Sequence, residues 1–144
     1  MCEILGDNCL DFKDDRSKIV ISEKRSSYVA ENTNRKLFCN YKVDRCIFGT
    51  ESKKCDYLLI DNQDHKSYYI ELKGSDLIAA VVQIDETLSK LELKLPNLIP
   101  FGRIVLSRVN TSDLRNSKYI KLKKRLSTKG GNLIHKTNTL KEYL

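Results

Sequence analysis

The chain has 144 residues, 40% of them hydrophobic, and carries a formal net charge of +7. This length suits one hydrophobic core and is too short for two ordinary domains, so we expect a single domain over residues 1–144. No apolar run approaches the roughly 20 residues of a membrane span, and the N-terminus lacks a secretory-signal layout, which predicts a cytoplasmic protein without a membrane partner. The positive charge favours an anionic partner, although many basic proteins never bind nucleic acid.

The five cysteines are odd in number and nowhere form a CxxC pair, and only two histidines accompany them. These features argue against a structural zinc site. We expect buried, reduced thiols at all five positions. The positions are Cys2, Cys9, Cys39, Cys46 and Cys55.

Residues 1–34 are mixed and polar, and we assign them to an N-terminal helical or irregular segment. Ser22 is a good N-cap residue, and Glu23 behind it is an acid favoured by the helix dipole. The pattern therefore predicts a short helix over residues 23–32.

Residues 35–48 alternate between apolar and polar side chains, which predicts a long, half-buried edge strand. Two further apolar segments, residues 55–60 and 67–73, are separated by a polar turn. Three strands joined by short turns imply an antiparallel meander.

The strand pattern ends at Gly74, and Ser75 can cap a helix whose apolar residues recur at helical spacing as far as Leu95. Residues 103–107 then predict a buried strand, residues 113–126 a basic helix, and residues 132–136 a last short strand. The expected order is helix, three strands, helix, strand, helix, strand. Its fold class is α/β, with a mixed central sheet.

Charged residues occupy the two central apolar strands at selected positions. Alternate residues of a strand share a face, so Glu71 and Lys73 point the same way, with Leu72 between them on the other face. In a hairpin, Asp56 can lie beside this pair. Two carboxylates with an ammonium suit a hard divalent cation and metal-assisted phosphodiester cleavage. Alternatively, Glu71 and Lys73 form a solvated pair on an edge strand.

The sequence Cys55-Asp56, a turn, and Glu71-Leu72-Lys73 resembles the PD-(D/E)xK nuclease superfamily. The resemblance covers roughly residues 35–110, and Cys55 stands where the family name has proline. It implies a restriction-endonuclease-like three-layer core, with a mixed sheet flanked by helices. It also implies a Mg²⁺-dependent endonuclease, with Mn²⁺ as a substitute metal. Asp56, Glu71 and the Leu72 carbonyl would bind the metal, and Lys73 would assist the attacking water.

The resemblance suggests two further catalytic residues. Gln83 lies on the first half of the long helix, where some members of the superfamily have a glutamine near the site. Many members also have an acid upstream, for which Glu31 is our first candidate and Glu23 and Asp44 are alternatives. Gln83 is equally compatible with an ordinary place on a helix flank. Each of the three acids, taken singly, fits surface charge better than a ligand role.

Basic residues supply a candidate nucleic-acid surface. Lys121, Lys123 and Lys124 lie on the basic helix, and Lys42 and Arg45 flank the hairpin. An amphipathic helix with a charged outer face explains the lysines equally well.

We expect DNA as the substrate, while its form (duplex, branched or single-stranded) and the choice between DNA and RNA stay open. Because two cuts on opposite strands need two sites, a compact chain without a separate recognition domain suggests a homodimer or a component of a larger assembly. The alternative is a non-catalytic nucleic-acid-binding or interaction module on the same fold.

Overall fold

The computed structural model describes residues 2, 5–6, 8–47, 54–72 and 74–144. The strands are β1 (Leu10–Asp14), β2 (Lys18–Glu23), β3 (Ser26–Glu31), β4 (Phe38–Lys42), β5 (Tyr57–Asp61), β6 (Lys66–Leu72), β7 (Ile99–Leu106), β8 (Leu133–Thr137) and β9 (Thr139–Tyr143). The helices are α1 (Leu77–Leu91) and α2 (Ser117–Thr128). A π-helical turn, Val43–Ile47, follows β4, and a 3₁₀ turn, Thr111–Arg115, precedes α2.

Six strands form the main sheet in the order β1-β4-β5-β6-β7-β8. Strands β1, β4, β5 and β6 pair antiparallel, and β6, β7 and β8 pair parallel. The helices supply the crossovers that parallel neighbours require. The predicted mixed sheet and α/β class are therefore confirmed. Helix α1 is capped by Asp76, whose side chain accepts a hydrogen bond from the Ala79 N–H, and not by Ser75.

The prediction of an N-terminal helix is wrong, because residues 18–31 form the hairpin of β2 and β3. In β2, Ile19 and Ile21 are buried while Val20 between them is half exposed, which is the period of two typical of a strand. Glu23 pairs with Ser26 across a two-residue turn, in which Lys24 has a φ of 51°.

The strand predicted over residues 35–48 is shorter and lies inside the sheet, since β1 pairs with β4 on its outer side. Strand β9 was not predicted. It pairs in parallel with β3, so β2, β3 and β9 form a second sheet. The predicted element order therefore holds only from β4 to β8.

The two faces of the main sheet are covered differently. Buried residues of α1 and α2 pack on one face, together with Leu58, Tyr69 and Ile104 of the sheet. The small sheet packs on the other face, against Leu59, Ile70 and other sheet residues. Helices flanking both faces were expected, whereas among the described residues the layers are helices, main sheet and small sheet.

The expectation of five reduced thiols is wrong for four cysteines. Cys2 is bonded to Cys39, and Cys9 to Cys46. The reason is that β1 lies beside β4 and brings the N-terminal segment against it. Cys55 is a free, buried thiol, as predicted.

No helix in the described part of the chain is long and apolar enough to cross a membrane.

Candidate active site

Asp56 and Glu71 face one another where β5 begins and β6 ends. Tyr57 pairs with Ile70, so the antiparallel register continued by one residue places Asp56 opposite Glu71. Each carboxylate accepts a main-chain hydrogen bond from the segment that faces it. The Asp56 N–H donates to Oε1 of Glu71 at 3.1 Å, and the Leu72 N–H donates to Oδ2 of Asp56 at 2.9 Å. The hairpin register thus brings the two predicted acids together.

Both acids lie in a largely desolvated position. Asp56 is 6% exposed and Glu71 is 2% exposed. By alternation, Glu71 shares the face of Tyr69, which is the face covered by the helices. Leu72 points to the opposite face and packs in the core beneath the small sheet. The carboxylates therefore lie on the helix side of the sheet, near the start of α1.

Helix α1 holds the segment that leads into Asp56. The Thr87 hydroxyl accepts a hydrogen bond from the Cys55 N–H at 2.9 Å and donates to the Gln83 carbonyl at 2.7 Å. The Gln83 amide donates to the Lys54 carbonyl at 3.2 Å. Gln83 thus contacts the main chain at Lys54, two residues before Asp56.

Thr87 and Lys54 were not singled out from the sequence. Thr87 is fully buried, and it occupies a position in α1 among the apolar residues Ile84, Leu88 and Leu91. A polar residue on the buried face of an amphipathic helix is the signal that could have identified it. Lys54 is 1% exposed, and its Nζ lies 3.4 Å from Oε2 of Glu86 on α1. Its ammonium is therefore a buried charge that contacts α1.

Cys55 does not supply a nucleophile. Burial raises the pKa of this thiol, and the nearby Glu71 and Asp56 carboxylates raise it further. The thiolate is the reactive form of cysteine, so this environment keeps Cys55 inert.

The chemistry of the two acids fits a hard divalent cation. Mg²⁺ prefers oxygen ligands and is commonly held by one or two carboxylates with waters and substrate oxygens. A carboxylate has two oxygens and about four lone-pair positions, so one main-chain hydrogen bond orients it without exhausting its acceptor capacity. Within the described ranges, no three His, Cys, Asp or Glu side chains group closely enough to hold a metal. A site here would therefore rest on two carboxylates.

Lys73 and Glu31 were also predicted to belong to this site. Lys73 lies outside the described residues. Glu31 is on β3, where it alternates with the buried Ala30 and so faces away from the main sheet. It contacts Lys141 at 3.1 Å and Lys18 at 3.6 Å. The hydrogen bond with Lys141 is the main cause that holds the pKa of Glu31 below its usual value, and the charge of Lys18 adds to it. The structure does not bring Glu31 to Asp56, which removes it from the candidate site.

The alternative upstream acids are also placed by the structure. Glu23 accepts a hydrogen bond from the Tyr57 hydroxyl at 3.3 Å, on the face covered by the small sheet. Asp44 lies in the π-helical turn after β4. Neither is in contact with Asp56 or Glu71 among the hydrogen bonds and ion pairs of the described residues.

Lys42 and Arg45 were predicted to flank the hairpin. Lys42 is exposed and pairs with Asp11 at 3.7 Å. It shares the face of Phe38, which packs under the small sheet, so it points away from the face of the acids. The Arg45 backbone lies in the π-helical turn, and its side chain falls outside the described part of the structure.

The three predicted lysines of α2 do not share one face. Lys121 lines a cavity against α1. Lys123 lies near β8, where its charge, after burial, lowers the pKa of His135. Lys124 is exposed, and its position, one helical turn after Lys121, places it on the same side of α2 as Lys121. Ile120, which was expected in the apolar stripe, is 51% exposed, whereas Leu122 and Leu126 are buried.

Searches against protein-family models, curated proteins and solved structures gave no significant match to this chain.

Proposed function

We propose that this protein is a Mg²⁺-dependent nuclease that hydrolyses phosphodiester bonds in DNA. The observation that carries the proposal is the pairing of two buried acids on facing strands: Glu71 accepts a hydrogen bond from the Asp56 N–H, and Asp56 accepts one from the Leu72 N–H. Bringing like charges together out of water is costly unless a positive charge lies with them. A bound cation would offset that cost.

In this proposal Asp56 and Glu71 hold the metal, and the Leu72 carbonyl is a third ligand suggested by the family resemblance. A divalent ion in such a site polarises the phosphate and lowers the pKa of a bound water. The main-chain N–H groups of Asp56 and Leu72 fix the carboxylate orientations. Gln83 and Thr87 act as positioning residues, because they hold the Lys54–Asp56 segment to α1. Lys73 is proposed to orient or deprotonate the attacking water.

The test is cleavage of labelled duplex, branched and single-stranded DNA, and of RNA, with Mg²⁺ or Mn²⁺. Asp56→Asn and Glu71→Gln keep the side-chain shape and an acceptor oxygen but lose the charge. Each is expected to lower cleavage by about 10³-fold or more, which corresponds to about 4 kcal/mol of lost transition-state stabilisation. Asp15→Asn is the matched control, because Asp15 is an exposed acid with only a 4.0 Å contact to Arg35. Full activity of both site variants would refute the proposed metal site.

Metal binding is measured separately by calorimetry. Ca²⁺ is expected to bind the wild type and to support nucleic-acid binding without turnover, and neither site variant should bind it comparably. Lys73→Ala should bind metal but lose cleavage. Efficient cleavage in Ca²⁺ alone, or by the Lys73 variant, would contradict the assigned roles.

A second candidate is a non-catalytic nucleic-acid-binding module, in which the acids brace the hairpin end. The low exposure of Asp56 and Glu71 favours it. In that case Asp56→Asn would change the free energy of unfolding and leave nucleic-acid binding and metal response unchanged.

A further inference from the structure

Helices α1 and α2 enclose a groove that leads toward the two acids. One cavity, of about 260 Å³, is lined by Val82 and Glu86 of α1 and by Lys118 and Lys121 of α2, among others. A second, of about 290 Å³, is lined by Asp76, Gln83 and again Val82 and Lys118. Because they share Val82 and Lys118, the two cavities form one continuous groove along the first three turns of α1.

The groove begins beside the candidate site. Gln83, which lines it, donates to the Lys54 carbonyl two residues before Asp56. The two helices also begin at the same end, since Lys118 lies beside Asp76 while Arg125, further along α2, contacts Asp85. Their positive dipole ends are therefore both near the site.

The charges along the groove are divided between its two ends. In the second half of α2, Arg125 and Lys129 form ion pairs with acids of α1, at 2.7 Å to Asp85 and 3.3 Å to Glu92. In the first half, Lys118 and Lys121 are exposed, and neither forms an ion pair with any described residue. Three acids also line the two cavities. Asp85 contacts Arg125, Glu86 contacts Lys54, and Asp76 accepts a hydrogen bond from the Ala79 N–H. Positive charge is thus available where the groove approaches the acids.

We propose that this groove binds the sugar-phosphate backbone of a nucleic-acid strand, with Lys118 and Lys121 as phosphate contacts. From Asp76 to Glu86 the groove follows about 15 Å of helix, the axial length of about four nucleotides of one strand. The inference deepens the proposed function by assigning a path to its substrate. It also separates Lys121 from Lys123, which lies near His135 of β8.

The test compares two charge-matched double variants in a binding assay without turnover, using fluorescence anisotropy of labelled single-stranded and duplex DNA in Ca²⁺. Lys118→Gln with Lys121→Gln is expected to weaken binding at low salt by at least about tenfold. It should also reduce the slope of log affinity against log salt by about one per lysine. Lys123→Gln with Lys136→Gln removes the same charge beside His135, outside the groove, and should change both quantities much less. Equal effects of the two pairs, or none, would overturn the proposal.

A third variant tests the groove without touching a lysine. Val82→Glu places a negative charge on the shared wall of both cavities and should weaken binding, while circular dichroism verifies the fold.

Wild-type protein that binds neither DNA form would also overturn the proposal. DNA binding that depends on Lys118 and Lys121, without cleavage in any metal, would leave the groove standing and reject the hydrolase. Cleavage that does not depend on Lys118 and Lys121 would support the hydrolase and reject the groove.

Discussion

The two ends of strand β5 each carry a buried aspartate, and the two aspartates have different partners. Asp61 is fully buried at the far end, where Nζ of Lys36 lies 2.7 Å from its Oδ2 and the N–H groups of Gln63 and Asp64 donate to its Oδ1. At the near end, Asp56 is bonded to the main chain of Leu72 and lies opposite a second acid, Glu71. One end pairs its aspartate with a buried lysine, and the other places two carboxylates opposite each other.

This difference separates structural charge from candidate functional charge. A buried acid whose lysine partner is in direct contact contributes to specificity or stability and is destabilising when the partner is lost. Two acids placed side by side store repulsion, which an enzyme can use to bind a cation or tune a proton. Each of the following predictions tests one part of the contrast.

Lys36→Met should have the largest effect on stability. The substitution leaves Asp61 buried without its ammonium, at a cost of about 3–5 kcal/mol in the free energy of unfolding. Lys18→Met is the control, because the Lys18 contact with Glu31 is at an exposed surface and 3.6 Å long, so the expected loss is below about 1 kcal/mol. Urea denaturation measures both. Similar losses would show that the Asp61 end is not the structural one.

The disulfides provide a second comparison, because each lies near one end of β5. Cys39 lies opposite Ile60 in the sheet register, close to Asp61, while Cys46 follows Val43, whose N–H donates to the Asp56 carbonyl at 3.0 Å. Both bridges span 37 residues, so chain entropy predicts a similar stabilisation of about 4 kcal/mol each.

Cys2→Ser/Cys39→Ser and Cys9→Ser/Cys46→Ser are therefore expected to lower stability by similar amounts in urea. Only the second pair should also weaken metal binding, since it releases the turn that contacts Asp56. Mass spectrometry after alkylation verifies the pairing in the wild type. Five alkylated thiols in the unreduced protein would refute both bridges.

Thr87→Val should have a smaller effect, of about 1–3 kcal/mol, because it leaves the buried Cys55 N–H without its acceptor. It should also lower metal affinity, and Thr87→Ser should restore it. Thr128→Val is the matched control: Thr128 makes the same hydroxyl contact to the carbonyl four residues earlier, but on the exposed side of α2. Equal effects of the two valines would mean that Thr87 does not position the site.

The smallest effect concerns the acid side of the pH–stability profile. The hydrogen bond and charge of Lys36 hold the pKa of Asp64 below its ordinary value. Its contribution is therefore present above the unfolded pKa, near 3.8, and is lost as pH falls through the lower folded value. Asp64→Asn should make stability less dependent on pH below about 4. An unchanged acid limb in thermal melts at pH 2–5 would contradict the assignment.

The parts of the fold that could be predicted are those set by local pattern. The apolar runs of β5 and β6 and the polar turn between them predicted the hairpin, and the helical spacing predicted α1. The hairpin register then places Asp56 opposite Glu71. The N-terminal hairpin could not be predicted in this way. Ser22 and Glu23 satisfy the pattern of a helix start, but β3 gains a partner, β9, from the other end of the chain. Tertiary pairing overrides local propensity there.

In the candidate site, too, only the part set by local pattern could be predicted. Its two acids follow from the register, whereas Thr87 and the cysteine pairs depend on which elements pack together. Thr87 reaches Cys55 only because α1 crosses the start of β5. Cys9 reaches Cys46 only because β1 adds to the sheet beside β4.

Strand β9 has a consequence for how the molecule assembles. Residues 139–143 complete the sheet begun by residues 18–31, and Glu142 contacts both Arg103, at 2.7 Å, and the Tyr28 hydroxyl, also at 2.7 Å. While the chain emerges from the ribosome, this half of the core stays open until the last of these residues arrives. A proteolytic clip before residue 139 would leave buried Tyr28 and Arg103 without their carboxylate, and we expect such a fragment to aggregate.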